Sequence, residues 1–219
     1  MKIRYAHYSF NVDNLGPGFR HVLWVQGCCF RCEGCIAPNY QKSGGIEIEV
    51  QELAAKFLEE TNKRRSAVSE KTIEGITISG GEPFLQAEAL AEFIKILKKS
   101  RPWGIIVYTG FTMEELKEKE KNDPSIKRLL DELDLLIDGR YVADLDKGDA
   151  LRGSSNQRIW NFTDRYKKQL ETVYGKKERH ITIRFEDDKM VLIGVPDETD
   201  KKRWENMKKY LQMVGGKVI

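Results

Sequence analysis

Apolar residues recur along this chain at two different periods, and their alternation predicts the architecture. Within Gln86 to Ser100, Leu90, Phe93, Ile94 and Leu97 fall at helical spacing and form one apolar stripe. Val50 to Lys63 repeats the pattern with Leu53, Phe57 and Leu58. Thr112 is placed to cap a helix running to about Lys121. Pro124 suits a helix start, with Ile126, Leu129, Leu130 and Leu133 facing inward. Between the helices lie apolar runs too short to be helical: Arg20 to Gln26, Gly75 to Ser79, Ile105 to Tyr108 and Leu135 to Ile137. These read as strands. Lys2 to Phe10 reads as a first strand or strand pair, followed by a turn at Asn14-Leu15-Gly16-Pro17-Gly18. The order strand, helix, strand, helix predicts an α/β domain with a parallel sheet. The strands end at a cysteine-rich loop, at Gly80-Gly81, at Thr109-Gly110 and at Asp138-Gly139. Open α/β sheets and barrels place their chemistry at such carboxyl ends.

The last third follows another pattern. Residues 140–162 are polar and are expected to be irregular. Thr163 to Tyr174 is predicted helical. Arg179 to Phe185 alternates apolar and polar residues, and a turn at Glu186-Asp187-Asp188-Lys189 leads to Met190 to Val195, so the pair reads as a β-hairpin ended by Pro196. Thr199 to Met213 is predicted to be a terminal helix with Trp204, Met207, Leu211 and Val214 on one side. The expected organisation is a core domain over 1–162, with 163–219 as a helix, hairpin and helix appendage packed on it. The chain has no internal repeat and no low-complexity segment.

Charge and composition narrow the function classes. The net charge of +3 is too small to argue for nucleic acid, and lysines alternate with acids, as in Glu114-Glu115-Leu116-Lys117-Glu118-Lys119, which marks solvated helix faces. No stretch approaches a membrane span, and the start has no apolar signal core. Grouped free cysteines without an export signal point to a reducing cytoplasm.

Those cysteines carry the chemistry. Cys28, Cys32 and Cys35 stand at C-x3-C-x2-C spacing. Three thiolates this close can reach three corners of a cubane iron–sulfur cluster, which ordinarily takes four. One iron is then left open for a substrate, in a centre that oxygen would damage, so an anaerobic or microaerobic setting is expected. A zinc site would need Cys29 as its fourth ligand, and His7, His21 and His180 show no finger spacing. Four cysteines within residues 28–35 cannot staple a chain of 219 residues. Cys29 reads as a packed or incidental thiol. Downstream, Ser79-Gly80-Gly81-Glu82-Pro83 leaves a strand. Two glycines let main chain approach a ligand closely, and Glu82 can add a charge-assisted bond; a plain strand-to-helix turn is the other reading.

Together the cysteine spacing and this glycine pair resemble the radical S-adenosylmethionine (radical SAM) enzymes. Asn14-Leu15-Gly16-Pro17-Gly18-Phe19-Arg20 and Val22 to Cys28 resemble the opening of the glycyl-radical-enzyme activases. Tyr108-Thr109-Gly110-Phe111, Leu135 to Tyr141 and Leu151-Arg152-Gly153-Ser154-Ser155-Asn156-Gln157-Arg158-Ile159 resemble the anaerobic ribonucleotide reductase activating proteins. The resemblance implies a partial, curved (β/α) barrel for the core. It implies a [4Fe-4S] cluster on Cys28, Cys32 and Cys35, and S-adenosylmethionine held by its methionine end on Gly80, Gly81 and Glu82. Thr109 and Asp138 stand where related activases place polar groups near S-adenosylmethionine or a monovalent cation. Arg140 is matched to its carboxylate or to the substrate backbone. For these three a turn or helix cap is the alternative. Arg152, Ser154, Ser155, Asn156, Gln157 and Arg158 are either a hydrated loop or a set of donors for a ligand or main-chain segment. The implied reaction is hydrogen abstraction from a glycine of a partner glycyl radical enzyme, with electrons from a flavodoxin- or ferredoxin-like donor.

Two other classes remain open at this level: a radical SAM enzyme acting on a small molecule, nucleoside or peptide, and a non-catalytic metal-cluster interaction module. The histidines read as structural, and Trp24, Trp103, Trp160 and Trp204 as core or edge aromatics. The chain departs from the activase pattern at Cys29 and at Ile36-Ala37-Pro38-Asn39.

Overall fold

The computed structural model describes residues 1–66, 72–172, 179–186, 189–213 and 217–218. Strands β1 (Lys2–Val12), β2 (Phe19–Val25) and β3 (Ile46–Glu49) precede helix α1 (Val50–Ser66). Then come β4 (Ile73–Gly80), α2 (Ala87–Lys98), β5 (Gly104–Tyr108), α3 (Met113–Glu120), α4 (Pro124–Leu130) and β6 (Leu135–Asp138). They build a seven-stranded sheet in the order β3-β1-β2-β4-β5-β6-β7, closed by β7 (Arg158–Asn161).

The fold is α/β, as expected, but the sheet is mixed. β2, β4, β5 and β6 run parallel, whereas β1, β3 and β7 pair antiparallel with their neighbours. The reason lies in the connections. A parallel return needs a crossover, usually a helix. The short turn between β1 and β2 cannot supply one, and the segment between β6 and β7 holds no α-helix. The expectation that 140–162 is wholly irregular is therefore corrected: its last residues form β7, whose Ile159 and Trp160 face Ile137 and Leu136.

The central strands are buried on both faces, which explains why Val22 to Val25, Ile105 to Val107 and Leu135 to Ile137 are apolar without alternation. On one face the stripes of α1, α2 and α4 form a continuous core with Leu53, Phe57, Leu90, Phe93, Ile94, Leu97, Ile126 and Leu129 all at most 3% exposed. Truncating Phe93 there would cost about 3–5 kcal/mol. Thr112 caps α3 in a reciprocal box with Glu115, worth about 1 kcal/mol.

The other face is covered by the C-terminal segment. A 3-10 turn (Asp164–Tyr166) and α5 (Lys167–Thr172) place Tyr166 and Leu170 against Ile106, Leu135 and Ile137. The predicted helix thus starts with a tighter turn, and its last residues, 173–174, lie outside the described residues. The expected hairpin forms from β8 (Ile181–Glu186) and β9 (Lys189–Gly194), with Asp187 and Asp188 outside the described residues. Val191 and Ile193 of β9 pack on Val12, Leu15, Val22 and Trp24. Helix α6 (Glu198–Met213) follows and buries Trp204; the Leu211 side chain and Val214 lie outside the described residues. Besides β7, two more short strands escaped the sequence pattern: β3, and β10 (Lys217–Val218) parallel to β9.

Arg20 is a fully buried arginine with no carboxylate beside it among the described residues. Its Nε donates to Thr77 Oγ1 (2.8 Å), Nη1 to the Tyr166 hydroxyl (2.7 Å) and Nη2 to the Ile76 and Gly104 carbonyls. Neutral oxygens satisfy the guanidinium, so this residue of the Asn14–Arg20 run ties three strands to Tyr166. His21 is also structural: it is buried among Phe10, Phe57 and Trp103 and lies 3.0 Å from Thr61 Oγ1. Among the described residues no helix is long and apolar enough to cross a membrane.

Candidate active site

The cysteine loop begins where β2 ends. Gly27 N donates to Tyr40 O (2.8 Å) and Cys28 N to Gln41 O (3.2 Å), so the loop leaves and returns at one stem. The Gln26 side chain clamps that stem through the Asn39 and Lys42 carbonyls. Within the loop, Gly34 takes φ +70°, which a side chain would disfavour. All four thiols are free; Cys28, Cys32 and Cys35 are half-buried and Cys29 is exposed. Burial pushes the Cys28 thiol up to about 11. Burial also raises Cys32, with Cys35 beside it, while the Tyr141 N–H and Arg140 act against the rise. A metal must therefore displace protons from these thiols, which is ordinary for thiolate ligation.

The Gly80–Glu82 turn is built onto this stem. Gly81 N donates to Val25 O and Glu82 N to Gly27 O, both at 2.8 Å. A Cβ on Gly81 would sit 2.2 Å from Gly27 O. The close approach that demands glycine here is therefore first of all between two stretches of this chain. The Glu82 carboxylate is 1% exposed and accepts from Phe84 N (2.9 Å), Thr109 Oγ1 (2.7 Å) and Gly110 N (2.8 Å). Burial pushes it up to about 7 against those three hydrogen bonds. Its oxygens are thus engaged by β5 rather than projecting free, and Thr109 is its partner.

At the end of β6, Asp138 is fully buried. It accepts from Met113 N at the start of α3 (2.7 Å) and from Arg158 N and Nε. In this arrangement Asp138 and Arg158 join α3, β6 and β7, and neither lines the cleft described below. Arg140 does line it, with its guanidinium bonded to Glu115 (2.8 Å) and lying 4.5 Å from the Phe30 ring centre.

The donors of the 152–158 run bind a main-chain segment, and it belongs to this same chain. Asn156 Nδ2 donates to Arg140 O, Gln157 Nε2 to Gly139 O, and Val142 N donates to Ser154 Oγ. Gln157 Oε1 also accepts from Gly153 N and Ser154 N, and Arg152 Nη1 donates to Gln157 O. Ser155 uses its main-chain N–H on Leu145 O. The run therefore fixes residues 139–142, which carry Arg140 and Tyr141 to the cleft.

One cleft of about 210 Å³ gathers the pieces. Cys28, Cys32, Cys35 and Phe30 bring the cysteine loop to it as one wall; Gly80–Glu82, Thr109, Gly110, Gly139–Tyr141, Gly153 and Gln157 also line it. Among the described residues no three His, Cys, Asp or Glu side chains converge as a one-ion site. A cubane instead distributes its thiolates over separate irons, so three free thiols spread along one wall fit that group.

Sequence reasoning missed several lining residues. Gly194, Val195, Pro196 and Lys201 come from β9 and the start of α6. Arg179 was read only as the start of a strand, yet its guanidinium, 4% exposed, pairs with Asp146 (2.7 Å) and donates to the Arg152 carbonyl. No local pattern announces such a residue, because its partners lie tens of positions away.

The 4Fe-4S single cluster domain family matches residues 14–160. The anaerobic ribonucleoside-triphosphate reductase-activating protein of Enterobacteria phage T4 is 33% identical over 68% of this chain and 88% of the relative. That of Vibrio cholerae serotype O1 is 31% identical over 73% of this chain and 97% of the relative. The pyruvate formate-lyase-activating enzyme of Staphylococcus epidermidis is 30% identical over 81% and 68%. The chain therefore belongs to the 4Fe-4S single cluster domain family, among the radical SAM activating proteins of glycyl radical enzymes.

Proposed function

We propose that this chain activates a glycyl radical enzyme by removing a hydrogen atom from one of its glycines, and that Cys28, Cys32 and Cys35 hold the [4Fe-4S] cluster it uses. The observation that carries this reading is the single cleft in which three free thiols face Gly80–Glu82, Thr109 and Arg140 at the carboxyl ends of parallel strands. Held by Cys28, Cys32 and Cys35, a [4Fe-4S] cluster would supply the one-electron reduction of S-adenosylmethionine by which a hydrogen atom would be taken from the partner's glycine.

The chain's own part is to hold and orient. Main-chain groups of Gly80 and Gly81 border the cleft and suit an ammonium group, with Glu82 behind them supplying negative charge once ionised. Arg140 also lines the cleft, suited to a carboxylate, and its stacking on Phe30 keeps the guanidinium in place. Asp138 and the 152–158 run act indirectly, by fixing α3 and residues 139–142. The seven-stranded sheet is read as a partial, curved barrel over 1–162, and 163–219 as an appendage that completes one wall.

The partner favoured is an anaerobic ribonucleoside-triphosphate reductase, because relatives at 31–33% identity carry that name over 88–97% of their length. A pyruvate formate-lyase is the second reading, from the relative at 30%. A flavodoxin- or ferredoxin-like donor and a cytoplasmic, anaerobic setting complete the proposal. The test is anaerobic: the iron-loaded, reduced protein is mixed with S-adenosylmethionine and each candidate partner. Deoxyadenosine release and a glycyl doublet in the partner's electron paramagnetic resonance spectrum are expected. Deoxyadenosine carrying deuterium from a small metabolite, with no glycyl signal in either partner, would overturn the reading.

A further inference from the structure

The cleft wall formed by Gly194, Val195, Pro196 and Lys201 lies beyond residue 160, where the family match ends, and about a third of this chain falls outside its alignment with the phage relative. This wall is firmly held. Arg179 donates to the Pro196 carbonyl (3.2 Å) as well as to the Asp149 and Arg152 carbonyls, and Asn14 donates to the Ile193 carbonyl (2.9 Å). Lys201 brings its ammonium to the cleft from the first turns of α6. It donates to the Tyr141 hydroxyl (2.7 Å) and to Glu198 (2.6 Å), with Asp146 at 4.0 Å. The Tyr141 ring in turn lies against Gly34 of the cysteine loop, close enough that a Cβ there would approach it to 3.2 Å.

The chemistry of this group selects its ligand. Glu198 at 2.6 Å already offsets the ammonium charge, while Asp146 is paired with Arg179, so a further anion gains little. An ammonium has three donors, and among the described residues Tyr141 and Glu198 engage two of them, so a neutral oxygen suits the third. We propose that Lys201, oriented by Tyr141, is a partner-binding residue that donates to a main-chain carbonyl of the partner's glycine-bearing loop. This inference rests on the activase reading. It makes the C-terminal segment part of what holds the partner, through a contact that needs no partner side chain.

The test uses the iron-loaded full chain and the reductase on which the wild-type protein raises a glycyl radical. Lys201→Met is expected to raise the KM for the reductase about tenfold, the loss of one charge-assisted hydrogen bond. Lys201→Arg, which keeps the donors, is expected to recover most of it, and Tyr141→Phe to raise KM by roughly threefold. The Kd for S-adenosylmethionine, from anaerobic equilibrium dialysis, is expected to move less than about twofold, because the contact is with the partner. An unchanged reductase KM in Lys201→Met overturns the inference alone, and an equal loss of S-adenosylmethionine affinity overturns it by assigning Lys201 to the cofactor. Wild-type protein that raises no glycyl radical overturns the activase reading and this inference with it.

Discussion

Replacing Glu82 with Gln separates two forces that act on one buried carboxyl. Three hydrogen-bond donors favour its charged form, and burial at 1% exposure disfavours it. Burial prevails and the group is pushed from 4.5 up to about 7. That displacement corresponds to about 3 kcal/mol at roughly 1.4 kcal/mol per pH unit. The sign follows from proton counting. Between pH 4.5 and 7 the folded chain holds a proton that the unfolded chain has released, so stability falls as pH rises through this window and the full loss is reached above 7.

Glutamine has no such dependence. Its carbonyl oxygen can keep Thr109 and Phe84 N, but its amide NH2 then faces the Gly110 N–H, a mismatch costing about 1–3 kcal/mol. The iron-free Glu82→Gln protein is therefore expected to be less stable than wild type at pH 5 and to close or reverse the gap by pH 8, a relative change of about 2–3 kcal/mol. Urea unfolding of both proteins under reductant at several pH values measures the difference, and other titrations cancel in it. Parallel stability curves would refute the reasoning. A gap that widens with pH would show that the three donors outweigh burial.

Two further outcomes test the site more directly. Singly changing Cys28, Cys32 or Cys35 to Ala is expected to abolish reconstitution of about four irons per chain, whereas Cys29→Ala keeps it; iron and sulfide analysis with visible absorption decides, and stoichiometric zinc without iron incorporation would count against the cluster. Gly81→Val is expected to destabilise even the iron-free chain by about 1–3 kcal/mol or more, because its Cβ would approach Gly27 O to 2.2 Å; an unchanged thermal midpoint would show that Gly81 serves a ligand alone.

The order of strands and helices was legible because each element carries its burial face in its own residues: the stripe of Leu90, Phe93, Ile94 and Leu97, or the unbroken apolar run of β6. The cysteine spacing was legible for a similar reason, since one loop supplies all three thiols proposed to hold the cluster. The short β3 and β7 were not, because four polar-rich residues become strands only when β1 and β6 offer unpaired edges. The roles within the cleft were also out of reach. The 152–158 run was recognisable as a set of donors, but only the folded chain shows that Asn156 and Gln157 hold the main chain of Arg140 and Gly139. Glu82 was recognisable as an acid, but its burial against Thr109 and Gly110 depends on how β4 and β5 pair. Arg179 and Lys201 gave no signal at all, since a charged residue in a hairpin or helix ordinarily faces water. Periodicity along one element records which side is buried; it carries nothing about which distant oxygen waits there. Sequence therefore determined the main elements and the cysteine loop, and tertiary juxtaposition decided which polar groups meet in the cleft.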